Sequence, residues 1–281
     1  MPKTLADAVE YAKVLYYGIP GTGKTTNLAH LANLTDVVYI LADQSIRTRP
    51  LREMGVPIER ITPLDELDPV KLERTYCWQW QEALASDPDS FGICLDTATE
   101  LVSRRIEGLV DEAWELTVTQ AKNRHEEPNE KNRYFVNRDY YGVETQEMRR
   151  FLRHLRDLPC HVGISAQVRR DVDENSGKVM YGPDVNPAIQ GDLLGWCEFV
   201  IRLELDGQYR DGDREDVFIG YCRPDETHHG KDRDGVLPRI LAQPTMDRVI
   251  GYMLGDLDKD TDPVQARYRE LVKTRRERRK T

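Results

Sequence analysis

Eight consecutive residues, Gly18-Ile19-Pro20-Gly21-Thr22-Gly23-Lys24-Thr25, combine three glycines with a lysine and a hydroxyl, and Thr26 follows. Glycines let a backbone wrap closely around phosphate oxygens. A helix beginning just beyond offers unpaired N–H groups and the positive end of its dipole. Lys24 is placed to reach terminal phosphates, and the Thr25 hydroxyl to hold Mg²⁺. The expected ligand is a nucleoside triphosphate with Mg²⁺. Its contacts run from Gly18 to Thr25, and Thr26 adds one to the α-phosphate.

Other polar residues fall at strand ends. Asp96 closes the apolar run Phe91-Gly92-Ile93-Cys94-Leu95. A carboxylate there either joins the Mg²⁺ shell or caps the next helix. Thr97 and Thr99 are better caps, which favours the metal role. Glu100 is the weaker candidate, one turn on, where a first-turn acid is favoured by the helix dipole anyway. Gln167 follows a second apolar run, His161-Val162-Gly163-Ile164-Ser165. It is either an ordinary polar strand end or a neutral amide that touches phosphate or orients water without adding negative charge.

These residues require strands to carry them. Lys13 to Tyr17 and Val37 to Leu41 also read as strands buried on both faces. Helices are expected over Thr25–Leu34, Asp65–Ser86 (with Asp68-Pro69 a start signal or break), Thr99–Thr117, Thr145–Leu158, Ala188–Trp196, Thr245–Leu257 and Pro263–Lys280. Phe199–Leu205 and Asp216–Cys222 read as a hairpin. Two polar loops, Gln120–Tyr141 and Val168–Pro187, are long enough to be functional or partly disordered. Alternating strands and helices give an α/β fold with a mostly parallel sheet covered on both faces, ending in a β-hairpin and a basic helix. The expected division is one domain over residues 1–257 and a basic tail over 258–281.

Bulk properties narrow the class. The 281 residues carry a net charge of −9, which excludes a uniformly basic nucleic-acid coat. The charge is uneven: Val264 to Thr281 is +6, leaving −15 elsewhere. No stretch approaches the ~20 apolar residues of a spanning helix, and the N-terminus has no secretory apolar run. Five widely spaced cysteines without a CxxC pair argue for free thiols in a reducing cytoplasm. His228 and His229 lack metal-ligand spacing and read as surface residues. Trp78 and Trp80 read as one exposed and one buried ring.

The ensemble resembles the RecA-like P-loop ATPase core, in particular the short phage AAA or nucleotide-binding proteins that assist single-strand annealing. Four segments carry the likeness: the Gly-rich loop, Tyr39-Ile40-Leu41-Ala42-Asp43-Gln44-Ser45, Ile93–Asp96 and Ile164-Ser165-Ala166-Gln167-Val168. Arg138-Asp139-Tyr140, Met148-Arg149-Arg150 and Tyr181-Gly182-Pro183 follow in the family's order. The resemblance implies a water-activating acid at Asp43, where the family has glutamate, and a γ-phosphate sensor at Gln167, with Ala166 replacing asparagine. It also implies that the two polar loops bind single-stranded DNA. Candidates are Arg133, Tyr134 and Arg138 in the first, and Arg169, Arg170 and Lys178 in the second. Cations interleaved with rings suit phosphates and stacked bases, although Glu126, Glu127 and Glu130 oppose this. The basic C-terminal helix is a third such patch. Lys231-Asp232-Arg233 resembles the Lys-x-Arg finger that such ATPases insert into a neighbour's nucleotide, and reads equally as a charged hairpin turn. The implied protein is a DNA-stimulated ATPase of the host cytoplasm, working as a ring or filament, with a single-strand-binding or annealing protein as partner. A P-loop phosphotransferase and a slow regulatory nucleotide-binding module remain open alternatives.

Overall fold

A computed structural model describes residues 10–43, 46–130, 133–172, 177–210 and 213–278. Its centre is β1 (Lys13–Tyr17), buried along its whole length. β1 lies parallel between β5 (Val162–Ala166) and β8 (Phe199–Arg210). Beyond β5, the strands β4 (Phe91–Asp96), β2 (Asp36–Leu41) and β3 (Ile61–Leu64) continue in parallel. Beyond β8, β9 (Asp213–Tyr221) and β11 (Ile240–Ala242) add antiparallel, and β10 (Lys231–Asp232) pairs with the start of β8. The order is β11-β9-β8-β1-β5-β4-β2-β3.

Helices cover both faces, so the central strands carry continuous apolar runs rather than alternation. On one face α1 (Lys24–Ala29) and α8 (Met246–Leu254) pack on Val14, Tyr16, Tyr39, Cys94 and Phe199. Gly163 allows that approach: a Cβ there would sit 2.5 Å from a Leu28 methyl. On the other face the helical segments α3 (Pro69–Lys71) and α4 (Trp78–Ser86) are joined by a wider turn over Leu72–Cys77. With α5 (Ala98–Asn123), α6 (Arg138–Asp157) and α7 (Pro187–Trp196) they bury Leu15, Tyr17, Ile93, Leu95 and Ile164. The short α2 (Thr48–Glu53) follows β2, and α9 (Pro263–Arg278) packs against β11.

Several expectations are met: Asp68 caps the helical segment after it, Trp80 is buried while Trp78 is exposed, and all five cysteines are buried free thiols. Others are corrected. The first polar stretch is helical only at its two ends, since α5 runs on to Asn123 and α6 begins at Arg138. Those added turns are mostly solvent-facing, and polar composition alone does not separate an exposed helix from a loop. The second stretch is a hairpin of β6 (Val168–Val172) and β7 (Val179–Pro183), antiparallel to each other and outside the main sheet. Its strands are mostly half-buried and mix charged with apolar residues, so they show no clear hydrophobic alternation. The short strands β3, β10 and β11 had no sequence signal either. Among the described residues no helix is long and apolar enough to cross a membrane.

Candidate nucleotide site

The Gly-rich loop leaves β1 at Tyr17 and turns into α1. Gly23, at φ 82°, caps that helix without a side chain, a conformation that favours glycine. The first N–H groups of α1 therefore face outward with no capping oxygen. Lys24 is folded back beneath the loop, its ammonium donating to the carbonyls of Gly18 (2.9 Å) and Ile19 (3.0 Å) and to Oε1 of Gln167 (3.1 Å). Burial pulls its pKa down, opposed by the carboxylates of Asp96 and then Asp43.

Asp96 is buried at the end of β4 and collects three hydroxyls. Thr25 donates to its Oδ2 at 2.6 Å, Tyr39 to the same oxygen at 3.0 Å, and Ser165 to Oδ1. Burial, and then Asp96 itself, push the Tyr39 phenol well above its ordinary pKa, so it stays a donor. Thr97 caps α5 through Glu100 N–H, which frees Asp96 from capping. Glu100 is spent on an ion pair with Arg104. The Thr99 hydroxyl accepts from Gln167 N–H at 2.9 Å, and Gln167 O accepts from Asp184 N–H at 2.7 Å. Asp43 is exposed just past β2, its N–H on Asp96 O, close enough to act on Lys24 through its charge.

Strand geometry explains the convergence. Side chains alternate across a strand, so Tyr39, Cys94, Asp96, Gly163 and Ser165 share the α1 face. Leu41 lies in register with Asp96, and Ile164 with Leu95. The roles of Tyr39, Ser165 and Thr99 were missed, although Ser165 stands two residues before Gln167 and Tyr39 two before Leu41. The signal was period-two spacing from the strand-end residues.

Lys24, Thr25, Asp96, Gln167 and Asp43 are thus brought together; Lys231 and Arg233 are not. They lie at the other end of the strands from the phosphate loop, where β10 pairs with Phe199 and Val200 at the start of β8. Lys231 donates to the carbonyls of Leu194 (3.0 Å) and Gly195 (2.8 Å), and Arg233 faces Glu198 at 3.5 Å. Within one chain both cations close the end of α7.

The nucleic-acid candidates spread over two places. Arg133 sits 5.5 Å over the ring of Tyr134, which is 79% exposed beside exposed Phe135, and Arg138 opens α6. Arg169 and Arg170 lie on β6 and Lys178 just before β7; Arg169 is held by Asp171 at 2.8 Å and by Val185 O. Ser45, Lys131, Asp173, Glu174, Arg279 and Lys280 fall outside the described residues. The two histidines, expected at the surface, are half-buried and pin the hairpin. His228 stacks on Tyr181 at 4.8 Å, His229 N–H donates to Tyr181 O, and the Tyr17 hydroxyl donates to His229 O. A cavity of about 520 Å³ opens between Gly18–Thr22, the hairpin residues Val168 and Tyr181, and Arg202 and Glu204 on β8.

A Gly-rich loop between strand and helix, a lysine under it and a carboxylate two strands away define a P-loop nucleotide-binding ATPase core. A family model described as an AAA domain matches residues 10–234, and the chain belongs to that family of P-loop ATPases. No curated protein matches the chain.

Proposed function

We propose that the protein is a Mg²⁺-dependent ATPase that binds single-stranded DNA and assists phage recombination, annealing or replication. The observation that carries this reading is the placement of Gln167. Its side chain meets Lys24 under the phosphate loop, and its backbone runs directly into the β6–β7 hairpin that bears Arg169 and Arg170. A phosphate at Lys24 competes with the Gln167 amide oxygen for the ammonium, which would link nucleotide state to the hairpin.

Thr25 and Asp96 offer two hard oxygens 2.6 Å apart, a donor set that fits Mg²⁺ completed by phosphates and water. Thr25 and Asp96 would hold Mg²⁺, which would supply charge neutralisation to the phosphates. Lys24 shares that task from the other side, Gln167 reads the γ-phosphate, and solvent-exposed Asp43 orients and deprotonates the attacking water. Aspartate is one methylene shorter than glutamate, so turnover is slow. The exposed Tyr134 and Phe135 stack bases while Arg133 and Arg138 hold phosphates. Copies assemble into a ring or filament, and Lys231 and Arg233 reach a neighbour's nucleotide only by exchanging their contacts with α7.

The test is anisotropy of a labelled oligothymidylate at low salt, with ATP, a non-hydrolysable analogue and ADP. Tighter binding with the ATP forms is expected; no binding in any nucleotide state sinks the proposal. The cavity beside the loop favours a second reading, a phosphotransferase. It adjoins Gly18–Thr22, and Arg202 is available in cis once released from Glu204 (2.9 Å) and the Tyr221 ring. Phosphate transfer to a small acceptor, with no response to DNA, would mark it.

A further inference from the structure

On the opposite flank of the sheet, α9 and β11 build a small satellite core of Ile219, Ala242 and Tyr268. The outer edge of β11 is closed by one side chain. Gln265 accepts from Ala242 N–H at 3.0 Å and donates to Ile240 O at 2.8 Å, so its amide stands in for a neighbouring strand. An added strand therefore cannot pair there. The satellite core itself stays open on one side. Ile240 and Val272 are only partly buried, and with Pro238 they floor a groove of about 640 Å³. Its rim carries Arg239, Arg269 and Lys273, against one acid, Glu277.

Two of the three rim cations differ from their neighbours. Arg275 is bound to Asp206 at 2.8 Å, and Arg269 to Lys259 O at 2.7 Å. Arg239 and Lys273 are exposed and have no ion-pair partner among the described residues. They belong to a chain whose remaining parts are strongly acidic, so the groove is a local positive field in a repulsive surround. Two polyanions could enter it: nucleic acid or acidic protein. Single-stranded nucleic acid needs exposed aromatic faces for its bases. The one ring here, Tyr268, is buried with its hydroxyl on Asp206 at 3.2 Å. An aliphatic floor under a cationic rim fits an apolar side chain flanked by carboxylates instead.

We propose that the α9–β11 groove docks an acidic peptide segment of a partner protein, anchored by an apolar residue on Ile240 and Val272 and steered by Arg239 and Lys273. This surface is separate from the nucleotide corner. The test uses fluorescence anisotropy with a fluorescein-labelled peptide alternating aspartate with leucine and phenylalanine, a serine-substituted peptide of equal charge, and a labelled oligothymidylate. The apolar acidic peptide is expected to bind saturably and the serine version at least about ten-fold more weakly. Arg239→Glu with Lys273→Glu is expected to cost about ten-fold or more in peptide affinity, as is Val272→Asp. In the charge-reversed variant, ATP affinity, melting temperature and oligothymidylate binding should be unchanged. Because both cations are exposed, the charge-reversed variant keeps the fold. The proposal is overturned if the peptide does not bind, if both peptides bind alike, or if the variants bind it as wild type does. Loss of oligothymidylate binding in the same variants would identify a nucleic-acid surface and overturn it equally.

Discussion

The corner at Lys24 and the aromatic segment at Tyr134 are both rich in polar chemistry, yet they are built in opposite ways. Around Asp96 every polar atom is assigned: three hydroxyls converge on one buried carboxylate, and strands in fixed register hold them. Around Tyr134 and Phe135 the rings face solvent, and Arg133 lies over the Tyr134 ring. Phosphoryl chemistry needs donors fixed before the charge develops. Capture of a flexible strand needs surface that adapts to many sequences. A rigid corner should therefore fail sharply on single changes, and an open surface gradually.

The largest effect is expected at the rigid corner. Asp96→Asn keeps size but removes the charge that the three hydroxyls face and that would meet Mg²⁺ in the proposed function. Steady-state ATPase should fall by roughly two orders of magnitude, with a smaller loss of nucleotide affinity by fluorescent-nucleotide titration. A fall of less than a few-fold would show that Asp96 does not meet the metal. On the open surface, Tyr134→Ala with Phe135→Ala should weaken oligothymidylate binding by about ten-fold per stacked base while leaving ATP affinity intact. Unchanged DNA binding would make these rings bystanders.

A subtler change tests the short acid. Asp43→Glu restores reach toward the attacking water, and misplacement on the scale of one bond costs large factors, so kcat should rise about ten-fold. No rise, together with full activity of Asp43→Asn, would remove Asp43 from the chemistry.

The smallest expected effect concerns stability. Glu144 on α6 is fully buried, and its Oε1 has no hydrogen-bond partner. Burial pushes its carboxyl up to about 7, against weaker opposition from Thr145 and Asn186. The native state thus holds a proton that the unfolded chain releases at ordinary carboxylate pH. The stabilisation is complete below that pH and is lost as pH rises towards 7. The melting temperature should fall by a few degrees from pH 5 to pH 8, and Glu144→Gln should flatten that slope. A slope that survives the substitution would assign it to other groups.

The same contrast explains what could be read from residues alone. The central strands and the phosphate loop were legible because burial on two faces leaves continuous apolar runs, and because glycine, lysine and threonine at fixed spacing have one good use. Asp96 and Gln167 were legible as polar residues ending such runs. Tyr39 and Ser165 were not, because within a buried strand a hydroxyl looks like packing until the register pairs it with a carboxylate. The hairpin after Gln167 was invisible for the opposite reason: β6 carries Arg169, Arg170 and Asp171 in succession, and β7 contains a glycine and a proline. Lys231 and Arg233 show the limit of local spacing, since their partners Leu194, Gly195 and Glu198 lie more than thirty residues away.

The central claim is that ATP turnover at Lys24 and DNA capture belong to one machine. It is tested most directly by ATPase rate with and without oligothymidylate, in wild type and Lys24→Ala. The account predicts a slow basal rate that rises with the oligonucleotide, and no hydrolysis by Lys24→Ala under either condition. A wild-type rate indifferent to DNA, or a Lys24→Ala rate equal to wild type, would contradict it.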